Sequence, residues 1–218
     1  MAMTQQAIIT GGQGDLAQAM ATELVNAGML VSCPGRVELD VCDEVMVNSY
    51  FAEHYETDLL VCNAGITEDG LLLRMDESSW DKVVNINLKG AFLTARAAAK
   101  MMMKRRVGHI VFISSYSAFH PPVGQVNYAS AKAALTGMAL SLAKELGSRN
   151  IRVNVIVPGF METKMTEAVS EEARAIALEK QILGRFNMPE SLAKFLRALH
   201  LDMSHTSGQV FNLDSRVL

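Results

Sequence analysis

The chain has 218 residues, half of them hydrophobic and a fifth charged, which suits one soluble globular domain over 1–218 whose core needs no disulfide or metal staple. Twenty Lys and Arg against 23 Asp and Glu leave a net charge of −3, which speaks against the broad basic footprint of a nucleic-acid or anionic-membrane binder. No apolar run reaches the ~18–20 residues of a membrane helix. The start, Met1-Ala2-Met3-Thr4-Gln5-Gln6, lacks the basic segment of a secretion signal, and Cys33, Cys42 and Cys62 form no C-x-x-C pair, so reduced thiols in a cytoplasm are expected.

Strand-like and helix-like segments alternate along the chain. Residues 7–9 are a short apolar strand running into a glycine loop, and 16–27 read as the helix behind it. Further strands are expected over 29–33, 58–62, 109–113, 152–157 and 209–213, several of them near-continuous apolar runs of the kind covered on both faces. Helices are expected over 79–103, 127–146, 171–179 and 189–200, the last opening on Pro189. The alternation implies an α/β fold: one doubly wound, Rossmann-type parallel sheet with helices on both faces. Only residues 34–39 separate the second strand from Asp40-Val41-Cys42-Asp43, too few for a full crossover of ~10–12 residues, so the second βαβ unit is expected to be shortened.

Thr10-Gly11-Gly12-Gln13-Gly14-Asp15-Leu16-Ala17 follows the first strand and opens the first helix, and its Gly12-x-Gly14-x-x-Ala17 core fits a dinucleotide fingerprint. Glycines let the backbone approach a pyrophosphate, whose charge suits the free N–H groups of a helix start. A glycine turn without a ligand is the plainer alternative. Tyr128 and Lys132 stand at i and i+4 of one helix, and a cation near a phenol favours the phenolate and makes it usable in acid–base chemistry. Ser114-Ser115 fall at the end of the 109–113 strand, where parallel sheets place their sites and where hydroxyls can meet a carbonyl oxygen. The five histidines show no metal-ligand spacing, so no metal is expected.

Taken together, Thr10-Gly11-x-x-Gly14, Cys62-Asn63-Ala64-Gly65, Asn85-Ile86-Asn87-Leu88-Lys89-Gly90, Ile113-Ser114-Ser115, Tyr128-x-x-x-Lys132 and Pro158-Gly159-x-x-x-Thr163 resemble the short-chain dehydrogenase/reductase family. Residues 58–166 are similar in wording to its 3-oxoacyl-[acyl-carrier-protein] reductases, as in Gly124-Gln125-Val126-Asn127-Tyr128.

The resemblance implies reduction of a 3-oxoacyl thioester with NADP(H) rather than NAD(H). In that scheme Tyr128 donates the proton, Lys132 holds the ribose and lowers the Tyr128 pKa, Ser115 polarises the carbonyl, and Asn87 holds a water leading to Lys132. It also implies that the glycine loop (Thr10, Gly11, Gly12, Gln13, Gly14, Asp15, Leu16) takes the pyrophosphate, Asp40 and Val41 the adenine, and Asn63, Ala64 and Gly65 the ribose. Pro158, Gly159 and Thr163 would border the nicotinamide, with Met161, Met165 and the segment to Ser170 as the substrate loop. Arg36 is the candidate for a 2′-phosphate, and Arg106 and Arg149 near the active-site mouth would dock the acyl carrier protein. A homo-oligomer, tetramer or dimer, is expected. Three departures stand out: Asp15 and Ala17 replace the family's last two loop glycines, the second crossover is short, and Asn212-Leu213-Asp214-Ser215-Arg216 replaces a D-G-G ending. A different ketone or alcohol as substrate, or a dinucleotide-binding regulator without turnover, are the competing readings.

Overall fold

The computed structural model describes residues 4–167 and 169–216; residues 1–3 of the N-terminal reading and Ala168 of the expected substrate loop lie outside them. Six strands form one parallel sheet: β1 Gln6–Ile9, β2 Leu30–Ser32, β3 Thr57–Cys62, β4 Gly108–Ile113, β5 Ile151–Val157 and β6 Val210–Asn212. Their order is β2-β1-β3-β4-β5-β6 and every neighbouring pair is parallel. The order reverses between β1 and β3, the switch point outside which such sheets bind ligands.

Side-chain alternation explains why these runs must be covered twice. Ala7, Ile9, Leu59, Val61, Val111 and Ile113 face one layer, made of α1 (Asp15–Asn26) and α7 (Pro189–Leu201). Ile8, Leu60, Ile110, Phe112, Val153 and Val155 face the other, made of α2 (Glu44–Glu53), α4 (Gly90–Arg105) and α5 (Val126–Gly147). On that second face α4 lays down Ala91, Ala95, Ala98 and Ala99, small enough for its axis to lie close on the strands.

The short crossover is borne out. Among the described residues the chain passes from β2 to α2 with no helix or strand between, so β2 is an edge strand. Helix α2 was not expected from the sequence; Asp43 caps it, accepting from the N–H groups of Val45 at 2.9 Å and Met46 at 3.0 Å. The single helix expected over 79–103 is two helices, α3 (Glu77–Val84) and α4, joined by a π-helical turn at Asn85–Lys89. Helix α6 is Glu171–Glu179, with the expected boundaries.

The amino-terminal edge of the sheet carries a buried polar cluster. Asn154 donates through Nδ2 to His109 Nε2 at 3.0 Å, and the Nδ1 atoms of His109 and His200 lie 3.3 Å apart. Arg152 beside them donates to the carbonyls of Leu199, His200 and Met203.

Candidate active site

The carboxyl-terminal edge of the sheet holds a cleft of about 1300 Å³. Thr10 is buried behind it, outside its lining: its hydroxyl accepts from the backbone N–H groups of Asn63 and Ala64, both at 3.0 Å, and ties the end of β1 to the loop after β3. Gly11 turns there with φ +72°, and a Cβ on it would stand 2.8 Å from Ala64 Cα, so no other residue fits without displacement. A Cβ on Gly14 would meet only Gly11 O at 3.5 Å, which leaves the first turn of α1 open to the cleft.

Of the expected cofactor residues, Gly11, Gly14, Asp15 and Leu16 line this cleft, as do Asn63, Ala64 and Gly65. Pro158, Gly159 and Thr163 line it from the end of β5 onward. Gly12, Gln13, Arg36, Asp40 and Val41 are not among its lining residues. Gly12 faces the trimmed segment instead: its N–H donates to Pro34 O at 2.9 Å, and a Cβ would fall 1.9 Å from Cys33 O. Gln13 packs on Gly35, and Val41 is buried against Gly90. Arg36 is 82 % exposed and pairs with Asp40 at 3.2 Å.

Asp15 turns toward the expected substrate loop. Its Oδ2 accepts from Lys164 N at 2.8 Å, a contact across 149 residues that bridges the glycine loop to the segment after Thr163. That segment is held in shape by Thr163 and Thr166, which cap each other reciprocally.

The four expected catalytic residues converge. Ser115 follows β4 and hydrogen-bonds the side chain of Tyr128 on α5. Lys132, one turn further along α5, is buried, donates to Ile113 O at 2.9 Å and lies 5.7 Å from the centre of the Tyr128 ring. Asn87 comes from the π-helical turn, where its Nδ2 donates to Ile66 O and Val83 O, both at 2.9 Å. Its Oδ1 is buried with no hydrogen-bond partner among the described residues. Gly65 fits between Asn87 and Lys132: a Cβ there would be 2.6 Å from Asn87 Oδ1 and 3.3 Å from Lys132 Nζ.

Burial sets the charges. It pushes Tyr128 up, and Asp69 adds to this while the Ser115 bond pulls the other way. Burial also takes Lys132 down to about 8, against a smaller upward pull from Cys62. The expected lowering of Tyr128 by Lys132 is not what these surroundings produce: desolvation is the largest influence on the phenol, and the Lys132 ammonium is directed at Ile113 O.

Arg106 and Arg149 are placed otherwise than expected. Arg106 ends α4 just before β4, and Arg149 precedes β5, so both sit at the amino-terminal edge, opposite the cleft. They are absent from its lining, and Arg106 donates to Ser148 O at 3.0 Å. The sequence reading had singled out neither Asp69 nor Arg216, both of which line the cleft, as site residues. The ending Asp214-Ser215-Arg216 was the signal available for the second.

A search of known proteins agrees with this geometry. Residues 36–174 match the family model described as short chain dehydrogenase. A 3-oxoacyl-[acyl-carrier-protein] reductase of Aquifex aeolicus is 43% identical over 212 residues, covering 95% of this chain and 85% of the relative. Its counterpart in Thermotoga maritima is 42% identical over 209 residues, covering 92% and 84%. Among solved structures, a putative NAD(P)-dependent gluconate 5-dehydrogenase from Beutenbergia cavernae with bound NADP superposes with a TM-score of 0.93 at 26% identity, covering 98% of this chain and 96% of that one. With a family match across most of the sequence and relatives this similar along nearly all of it, the chain belongs to the short-chain dehydrogenase family.

Proposed function

We propose that the protein reduces the ketone of a 3-oxoacyl thioester, presented on an acyl carrier protein, to the 3-hydroxyacyl form with NADPH as reductant. The observation that carries this reading is the convergence of Ser115, Tyr128 and Lys132 in one cleft whose other half is an open glycine loop. The relatives named as 3-oxoacyl-[acyl-carrier-protein] reductases support the substrate class, and the NADP of the structural neighbour supports the cofactor.

The chain fits a dinucleotide where the missing side chain of Gly14 exposes the N–H groups of the first turn of α1. Gly11, Gly14 and Leu16 would hold its diphosphate, Asn63, Ala64 and Gly65 a ribose, and Pro158, Gly159 and Thr163 the nicotinamide end. When bound, NADPH supplies the hydride. The chain's own part is to place and move a proton. Ser115 Oγ donates a hydrogen bond to the substrate carbonyl and holds it at Tyr128. The Tyr128 hydroxyl, kept protonated by burial, gives its proton to the oxygen as negative charge develops there. The Lys132 ammonium stabilises the phenolate left behind, and the bare Oδ1 of Asn87 offers an acceptor for a water that returns the proton.

Oxidation of NADPH at 340 nm with a 3-oxoacyl carrier-protein substrate tests this directly. Turnover that falls at least ~10²-fold in Tyr128→Phe, with NADPH binding kept, supports the reading; equal turnover in that variant refutes the mechanism. A cytoplasmic homo-oligomer, dimer or tetramer, completes the proposal. Phe92, Met103 and Leu140, exposed on α4 and α5, support association, and the three free cysteines support a reducing compartment.

A further inference from the structure

The chain after β6 returns to the cleft. Asp214, its side chain fully buried, accepts from Phe160 N at 3.2 Å and from Arg216 N at 2.9 Å. Arg216 then folds back and donates to Asp214 Oδ2 through Nε at 2.9 Å and also through Nη2. This grip lays the guanidinium on Tyr116, 3.7 Å from the ring centre, on the residue that follows Ser115. The Arg216 side chain is 11% exposed and lines the cleft.

Asp214 occupies only the Nε and Nη2 positions. Among the described residues Nη1 takes no hydrogen bond, and a guanidinium is a fork able to serve a second oxyanion. A second cation belongs to the same end. Ser215 Oγ donates to Gln181 Oε1 at 2.6 Å, which fastens the tail to the residue after Lys180, and Lys180 lines the cleft too. Asp15, one of the two carboxylates in the lining, lies at the opposite, β1 end, where it holds Lys164 N. The other, Asp69, is engaged by Gln125 at 2.8 Å. Met161, Val169 and Ile176 add apolar wall to the same cleft.

We infer that Arg216, with Lys180, forms an oxyanion-binding subsite at the β6 end of the cleft that selects substrates carrying a carboxylate or phosphate away from the reacting ketone. The inference rests on the reductase reading for its substrate and adds a chemical class to it. Two sources carry that group: a carboxylate at the far end of the acyl chain, or the phosphate of the carrier's 4′-phosphopantetheine arm.

Two matched pairs of substrates separate them. One pair is the N-acetylcysteamine thioesters of 3-oxohexanoate and 3-oxoadipate, which differ only in a terminal methyl or carboxylate. The other is 3-oxohexanoyl pantetheine with and without its 4′-phosphate. Wild-type kcat/KM is expected to favour the charged member of one pair by about 10- to 100-fold, the range of a charge-assisted hydrogen bond. Arg216→Gln and, separately, Lys180→Gln bring that ratio toward one, and Arg216→Lys keeps part of it. Binding of glutarate and of pantetheine 4′-phosphate by calorimetry, in wild type and in each variant, reads the subsite without turnover. Because Arg216→Gln strips Asp214 of its partner, the exposed Lys180→Gln serves as the variant least able to disturb folding. Loss of calorimetric binding in the variants supports the subsite even if no thioester is turned over, and in that case the reductase reading fails alone. Ratios near one in both wild-type pairs, or anion binding equal in wild type and variants, overturn the inference.

Discussion

Acidification from pH 7.5 to 5.0 should weaken the fold through the histidine pair beneath β4. Asn154 Oδ1 accepts from Gln209 N at 3.1 Å, which turns its Nδ2 toward His109 Nε2. His109 must then carry its proton on Nδ1 and donate it to His200 Nδ1, leaving His200 Nε2–H buried without a partner among the described residues. Neither ring can accept a second proton there without burying a charge beside the Arg152 guanidinium. Burial, and then Arg152, lowers His109 well below the usual imidazole value. The same causes take His200 down to about 4, although Asp58 pulls it upward.

The unfolded chain binds these protons first, near 6.5, so stability is full above that value and is lost as pH falls from 6.5 toward about 4. For His200 alone, the ratio of the two proton-binding polynomials at pH 5 amounts to about 2 kcal/mol. His109 shifts in the same direction and adds to it. Urea unfolding followed by circular dichroism at both pH values, in wild type and His200→Gln, isolates the effect because the carboxylates titrate alike in both. Wild type should lose about 2 kcal/mol more than the variant over this interval. An equal loss in the two proteins refutes the assigned tautomers and the burial argument together.

Three further outcomes follow from the cleft. The reduction rate should fall as pH rises through about 8, where Lys132 gives up the charge that stabilises a Tyr128 phenolate; a rate flat between pH 7 and 10 counts against that role. Gly12→Ala drives a methyl into Cys33 O and should destabilise the fold by about 1–3 kcal/mol in urea titration, whereas Gly14→Ala makes only an ordinary contact with Gly11 O and should act on NADPH affinity instead. Asp15→Ala frees Lys164 and the loop after Thr163, so stopped-flow NADPH association and dissociation should both quicken several-fold, while rates equal to wild type would show the bridge to be idle.

The strands were legible because burial on both faces leaves little room for polar residues, as in Ile110-Val111-Phe112-Ile113. Helix α2 was hidden because Val45, Met46, Val47, Tyr50 and Phe51 crowd most of its circumference with apolar side chains, and only the Asp43 cap announced it. The break at Asn85–Lys89 leaves no periodic trace, since a π-helical turn inserts its extra residue without Pro or any other breaker. In the site, Ser115, Tyr128 and Lys132 could be paired on paper because strand end and helix spacing determine their meeting. The roles expected of Gly12 and Arg36 were not testable that way. A shortened crossover brings Cys33 and Pro34 down on Gly12, and this depends on a chain path that no local pattern encodes.

The position of Arg106 and Arg149 bears on how a bulky substrate carrier is served. They stand at the start of β4 and β5, whereas Ser115 lies past the far end of β4, and six extended residues cover about 20 Å. A carrier resting on these arginines would have to pass its prosthetic arm across the full depth of the sheet to reach the cleft of the same chain. The arm meets a shorter route where another copy brings its cleft to this edge. Dilution that separates the copies should then slow turnover of carrier-bound substrate while sparing small thioesters, which makes protein concentration itself a variable of carrier selectivity.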